Sequence, residues 1–161
     1  MIEKITQHFT YAVHENIDSV SDEHKEVISE AIKNREQAYA PYSGFNVGAA
    51  VLLKNGKIVT GANQENAAYP SGLCAERVAL FAAGSHYPNV EIEILVVTCR
   101  NTKKLTDQPF SSCGGCRQVM LEYELKQSTP ITVYYLGETG PVIQVDSVTD
   151  LVPLFFPPQA L

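Results

Sequence analysis

Basic residues are scarce in this chain. Lys and Arg number 12 against 18 Asp and Glu, giving a formal net charge of −6. A surface for polymeric nucleic acid needs clustered cations that displace counterions, so this balance argues against RNA or DNA as a partner. Long apolar runs are also lacking. None approaches the roughly 20 residues of a membrane span. The opening Met1-Ile2-Glu3-Lys4-Ile5-Thr6-Gln7-His8-Phe9 has neither the basic start nor the apolar core of a signal peptide. The expectation is a cytoplasmic protein with no membrane partner. Internal repeats, linkers and low-complexity tracts are missing too, and there are only four cysteines. In a cytoplasmic chain such a small set points to metal binding or catalysis rather than a disulfide framework.

What remains is an ordinary globular composition. The chain has 161 residues, 45% hydrophobic and 19% charged, enough for one domain with a sizeable core. Residues 5–14 partly alternate, as in a short edge strand. Ser21-Asp22-Glu23 reads as a helix start, and the apolar spacing of Val27, Ile28, Ala31, Ile32, Ala38 and Tyr39 carries a helix toward Pro41. Phe45–Leu53 and Ile58–Ala62 flank Lys54-Asn55-Gly56-Lys57, a hairpin signal. A polar loop leads to a buried helix from Cys74. Val90–Cys99 is a strand, Gly114 to about Leu125 a helix, and Ile131–Leu136 and Val142–Val145 are strands. Ser147 caps a short helix ending near Pro153. This order describes an α/β domain: a mixed sheet with helices packed on it.

Two short runs concentrate the chemistry: Leu73-Cys74-Ala75-Glu76-Arg77 and Ser112-Cys113-Gly114-Gly115-Cys116-Arg117. Cys113 and Cys116 have spacing suited to one zinc ion, but a thioredoxin-like redox pair or a structural zinc has the same spacing. Cys74 adds a third thiol, again at a helix start, where free N–H groups and the helix dipole stabilise a thiolate. Cys99 ends an apolar strand and reads as a core thiol, which leaves the fourth zinc position to water. Glu76, in the first turn after Cys74, is placed to enter the same pocket.

This pattern resembles the zinc deaminases, in which a Cys₃ or His/Cys/Cys zinc activates water and a non-ligand Glu moves protons. Further stretches are similar to cytidine deaminases: Tyr39-Ala40-Pro41-Tyr42-Ser43-Gly44-Phe45-Asn46-Val47-Gly48-Ala49-Ala50, Asn63-Gln64-Glu65-Asn66-Ala67-Ala68-Tyr69 and Cys113-Gly114-Gly115-Cys116-Arg117-Gln118-Val119. The resemblance spans roughly residues 25–157 and is to the small, three-cysteine, homotetrameric type. It implies a three-layer α-β-α domain over 21–161 with a central mixed sheet of about five strands. Residues 1–20 form an extension carrying a possible edge strand.

The resemblance also implies site roles. Cys74, Cys113 and Cys116 hold Zn²⁺, and Glu76 carries protons from the attacking water to N3 of a pyrimidine and then to departing ammonia. Arg77 offsets the charge of the third thiolate, while Arg117 is structural. Phe45 packs on the ring, Asn63 and Glu65 bind the ribose 3′-hydroxyl, and the Ala75 N–H meets O2. Phe156, or its neighbour Phe155, reaches into an adjacent subunit of a homotetramer. Ser112 stands where the family usually has Pro, with little expected effect beyond a less rigid loop. The implied reaction is hydrolytic deamination of cytidine and 2′-deoxycytidine in pyrimidine salvage. Deamination of a related aminopyrimidine nucleoside, such as a nucleoside antibiotic, and a structural-zinc module closed by Cys99 are the competing readings.

Overall fold

The computed structural model describes residues 2–127 and 129–157. Its elements are β1 (Ala12–His14), α1 (Asp22–Arg35), β2 (Phe45–Leu53), β3 (Ile58–Ala62), α2 (Ala75–His86), β4 (Ile92–Asn101), α3 (Gly114–Gln127), β5 (Thr132–Leu136) and β6 (Val142–Val145), with short 3₁₀ turns at 17–19, 69–71 and 148–151. The six strands lie in the order β1-β6-β5-β4-β2-β3. Of these strands only β4 and β5 pair in parallel, and α3 is the crossover between them. About five strands are expected from the sequence, and the short edge strand β1, paired with β6, is the sixth.

Alternation along the strands divides the core in two. Ala49, Val51, Leu95, Val97, Val133 and Tyr135 face α2 and α3. Ala50, Ile94, Val96 and Tyr134 face the other way, onto Val27, Ile28 and Ala31 of α1. The result is three layers: α1, the sheet, and the α2–α3 pair. Close approach of the layers depends on two glycines. A Cβ at Gly61 would sit 2.7 Å from the Ala75 carbonyl oxygen and against the Ala79 nitrogen, and one at Gly48 would sit 2.6 Å from the Arg35 nitrogen.

The Asn-Gly hairpin forms as its sequence predicts, with Gly56 at φ 79° and its N–H bonded to the Leu53 carbonyl at 2.8 Å. Two expectations for α1 change. The helix stops at Arg35 rather than running toward Pro41. There the chain tightens into i→i+3 bonds from Gln37 and Ala38, and the Tyr39 N–H and carbonyl pair with Asn63 and Glu65 instead. Ser21 occupies the N-cap position without a capping bond, its hydroxyl donating to Glu23 at 3.2 Å. Ser147 does cap, its side chain accepting from the Thr149 N–H.

Candidate active site

β2 runs antiparallel to both of its neighbours, so β3 and β4 point the same way. Their carboxyl ends therefore lie at one edge of the sheet, flanking the amino end of β2, where Phe45 sits. The chain leaving β3 enters α2, and the chain leaving β4 enters α3. Both helix N-termini thus open at the same edge. Cys74 is the N-cap of α2, its carbonyl accepting from Arg77 (3.1 Å) and Val78 (3.2 Å); the Cys113 carbonyl accepts from Arg117 at 3.0 Å and starts α3. Cys116 follows in the first turn.

This convergence brings the three thiols together. The Cys74 and Cys113 sulfurs are 3.9 Å apart, and all three Sγ atoms lie within 4.8 Å of one another. A tetrahedral zinc with Zn–S bonds of about 2.3 Å places its sulfurs about 3.8 Å apart, so the donor set and spacing fit Zn²⁺. Among the described residues this is the one group of three or more such side chains. Cys99 is not part of it: its thiol is buried and points to the Leu136 carbonyl at 3.8 Å. A four-cysteine site closed by Cys99 has no geometric support.

The local field favours an ionised sulfur at Cys74. Hydrogen bonding from Cys116, then Arg77 and Cys113, pulls the Cys74 thiol down to about 5 against the effect of burial. Cys116 moves the other way, first through its bond to Cys74 and then through burial. An Arg77 Nη2 lies 3.8 Å from the Cys74 sulfur. A divalent cation removes the mutual penalty and holds all three as thiolates. Glu76 is 4% exposed, and burial raises its carboxyl above the usual carboxylate range.

A cleft of about 710 Å³ opens over these groups and is lined by Cys74, Cys113, Glu76, Arg77, Phe45, Asn63 and Glu65 among others. Its size suits a nucleoside-like molecule. Phe45 is half-buried and meets Phe110 edge-on, ring centroids 5.8 Å apart at 87°. Asn63 also holds the start of β2. Its Oδ1 accepts from the Val47 N–H (2.8 Å) and its Nδ2 donates to the Phe45 carbonyl (2.9 Å). Glu65 accepts from the Ser43 hydroxyl (2.5 Å) and the Tyr42 N–H (2.9 Å), and the hydroxyl bond lowers its carboxyl below the ordinary value. The pair thus braces the rim around 42–47, with one Asn63 N–H and part of the Glu65 carboxylate still available.

A family model for the cytidine and deoxycytidylate deaminase zinc-binding region matches residues 21–131. This chain belongs to that family. The cytidine deaminase of Halalkalibacterium halodurans is 46% identical over 127 residues, covering 79% of this chain and 89% of that protein. The cytidine deaminase of Sporosarcina psychrophila is 41% identical, covering 80% and 88%. A crystal structure of cytidine deaminase from Burkholderia pseudomallei superposes with a TM-score of 0.72 at 40% identity, covering 83% of this chain and 98% of that one.

Other expected positions of the deaminase site fall partly inside the cleft and partly outside it. Ala75 is fully buried at the first position of α2, where a backbone N–H has no partner within the helix. Phe156 does not line its own chain's cleft; its ring is 59% exposed. Arg117 clamps the loop before α3, its Nε donating to the Ser112 carbonyl (2.8 Å) and its Nη1 to the Leu151 carbonyl (3.2 Å). Phe110, Tyr42 and Cys99 also line the cleft. Sequence reasoning missed Phe110, and no local signal separates it from the rest of an irregular loop. No helix of the described residues is long and apolar enough to cross a membrane.

Proposed function

We propose that this deaminase family member converts cytidine and 2′-deoxycytidine to the corresponding uridines with release of ammonia. The observation that carries this reading is a buried Glu76 beside the Cys74–Cys113–Cys116 triangle, on the floor of a nucleoside-sized cleft. Zinc, when bound, supplies Lewis-acid activation of water at neutral pH. Phe45 packs on the pyrimidine, the Ala75 N–H receives O2, and Asn63 and Glu65 hold the ribose 3′-hydroxyl. Glu76 takes a proton from the attacking water and delivers it to N3. It then passes a second proton to the leaving ammonia. Three thiolates exceed the charge of the ion by one, and Arg77 with the two helix N-termini offsets that excess.

The protein acts in pyrimidine salvage in the cytoplasm, as a homotetramer in which the exposed Phe156 reaches the cleft of a neighbouring copy. Residues 1–20 form an extension to the catalytic domain, with β1 as its contribution to the sheet. The test is direct: purify wild type and Glu76→Gln, measure zinc, and assay ammonia release from cytidine. Expected is about one zinc per chain in both, and turnover in wild type alone. Zinc-loaded protein inactive on every pyrimidine nucleoside overturns the reading.

A further inference from the structure

Phe110 is a large apolar side chain left 52% exposed, yet the loop that carries it is held on both sides. Before it, the Thr106 N–H donates to a Glu138 carboxylate oxygen at 3.0 Å, and the Thr106 carbonyl accepts from the Glu138 N–H at 2.7 Å. After it, Arg117 donates from Nη2 to the Ser111 hydroxyl (2.7 Å) and from Nε to the Ser112 carbonyl (2.8 Å). From this braced loop the ring projects into the cleft over the thiol triangle, where it meets Phe45 nearly at a right angle. The backbone of Phe45 is fixed as well: its N–H donates to the Ser43 hydroxyl at 3.0 Å, and its carbonyl accepts from Asn63. Val47, Val97 and Cys99 continue the lining from the sheet beneath. Two perpendicular aromatic rings on anchored backbones form a corner. Such a corner suits a flat ring, with its face on one wall and an apolar edge on the other.

We propose that Phe110 is a specificity-determining residue: it walls off the space beside C5 of the pyrimidine and limits what that carbon can carry. This inference rests on the deaminase reading of the site, which commits every other position of the ring. C4 faces the thiol triangle, N3 faces Glu76, O2 meets the Ala75 N–H, and N1 carries the sugar toward Asn63 and Glu65. With Phe45 on the face of the ring, the C5–C6 edge is the one still without a partner. It is also the apolar edge of a cytosine, and C5 adjoins C4. Phe110 stands three residues before Cys113, on the loop that brings a thiol to the C4 end. A wall there gains contact with an unsubstituted C5 and clashes with a bulky group on it. The sugar lies at the opposite end of the substrate, out of reach of this wall.

The test compares Phe110→Ala and Phe110→Leu with wild type as zinc-loaded proteins. Zinc per chain is measured, with kcat/KM for cytidine, 5-bromocytidine and 2′-deoxycytidine, and the affinities of uridine and 5-bromouridine by calorimetry. In the Ala variant the 5-bromocytidine-to-cytidine ratio of kcat/KM is expected to rise about 10-fold or more, and the 5-bromouridine-to-uridine affinity ratio with it. The 2′-deoxycytidine-to-cytidine ratio should stay within about 2-fold of wild type, because the sugar end is untouched. Leu, a smaller apolar wall, should raise the bromo ratios by about 3-fold. The effect of bromine on the intrinsic reactivity of the ring is common to all three proteins and cancels in the comparison. Wild-type bromo ratios in the Ala variant overturn the inference, and the Leu variant decides if the Ala chain does not fold or hold zinc. A bromo ratio that rises only in step with the deoxycytidine ratio also overturns it, because that reports a loosened cleft and no wall at C5. A zinc-loaded wild type inactive on every pyrimidine nucleoside instead overturns the deaminase reading, and this inference with it.

Discussion

Replacing Arg77 by Gln should weaken zinc binding without weakening the fold. The guanidinium Nη2 lies 3.8 Å from the Cys74 sulfur. At an effective dielectric constant of about 20, a full charge pair at that distance is worth about 4 kcal/mol. Arg77 is only half-buried, so solvent screening reduces this to roughly 1–2 kcal/mol. That corresponds to about a tenfold loss of zinc affinity. The apo fold should be nearly indifferent, because the Arg77 Nε is buried with no hydrogen-bond partner, and Gln relieves that buried donor. The assay is competition for zinc against a chromophoric chelator, with apo-protein melting recorded alongside. Arg77→Lys should fall between wild type and Gln, since it keeps the charge but not the planar fork. A Gln variant that holds zinc as tightly as wild type refutes the idea that Arg77 compensates the third thiolate.

Other perturbations have equally definite outcomes. Gly61→Ala should force β3 and α2 apart at the Ala75 carbonyl and Ala79 nitrogen, lowering stability by about 1–3 kcal/mol in denaturant melts and loosening zinc. Glu124 is buried and accepts from the Ile131 N–H (2.7 Å), the Val148 N–H (2.8 Å), the Ser147 hydroxyl (2.7 Å) and the Thr149 N–H (3.1 Å). Glu124→Gln turns one acceptor into a donor facing two of these groups, and should cost about 2–5 kcal/mol and lower Tm by about 5–15 °C. Its kcat at low temperature should remain that of wild type. Burial pushes the Cys99 thiol up to about 11, so below about pH 9 it stays protonated. A thiol reagent applied to zinc-loaded protein near neutral pH should leave it unmodified, and Cys99→Ser should keep its zinc. Loss of zinc in that variant would point to a protein fourth ligand.

The metal-binding triad is legible because its chemistry is local: thiol spacing and helix starts are written in consecutive residues. The hairpin is legible for the same reason, since Asn55-Gly56 fixes both the turn and the register of its strands. What the sequence conceals depends on contacts between distant segments. The apolar period of α1 continues through Ala38 and Tyr39, yet the helix yields at Arg35 because Tyr39 finds backbone partners at Asn63 and Glu65. Asn63 reads as a polar loop residue, but its amide is bonded to the start of β2, which no spacing rule foretells. Phe110 reaches the cleft only because the loop after β4 folds back over Phe45. Ser112 looks like a tolerated replacement, and the buried phenol that bonds it comes from another strand.

The thiol triangle also has a mechanical meaning. Cys74 and Cys113 are 39 residues apart in sequence, and they sit at the tips of helices that belong to different crossovers. An ion held by both ties those helices together across the sheet edge, as a clip across a long loop does. Occupancy of the centre and persistence of the folded chain are therefore linked quantities. In a cell short of zinc, molecules that lose the ion lose part of their resistance to unfolding as well.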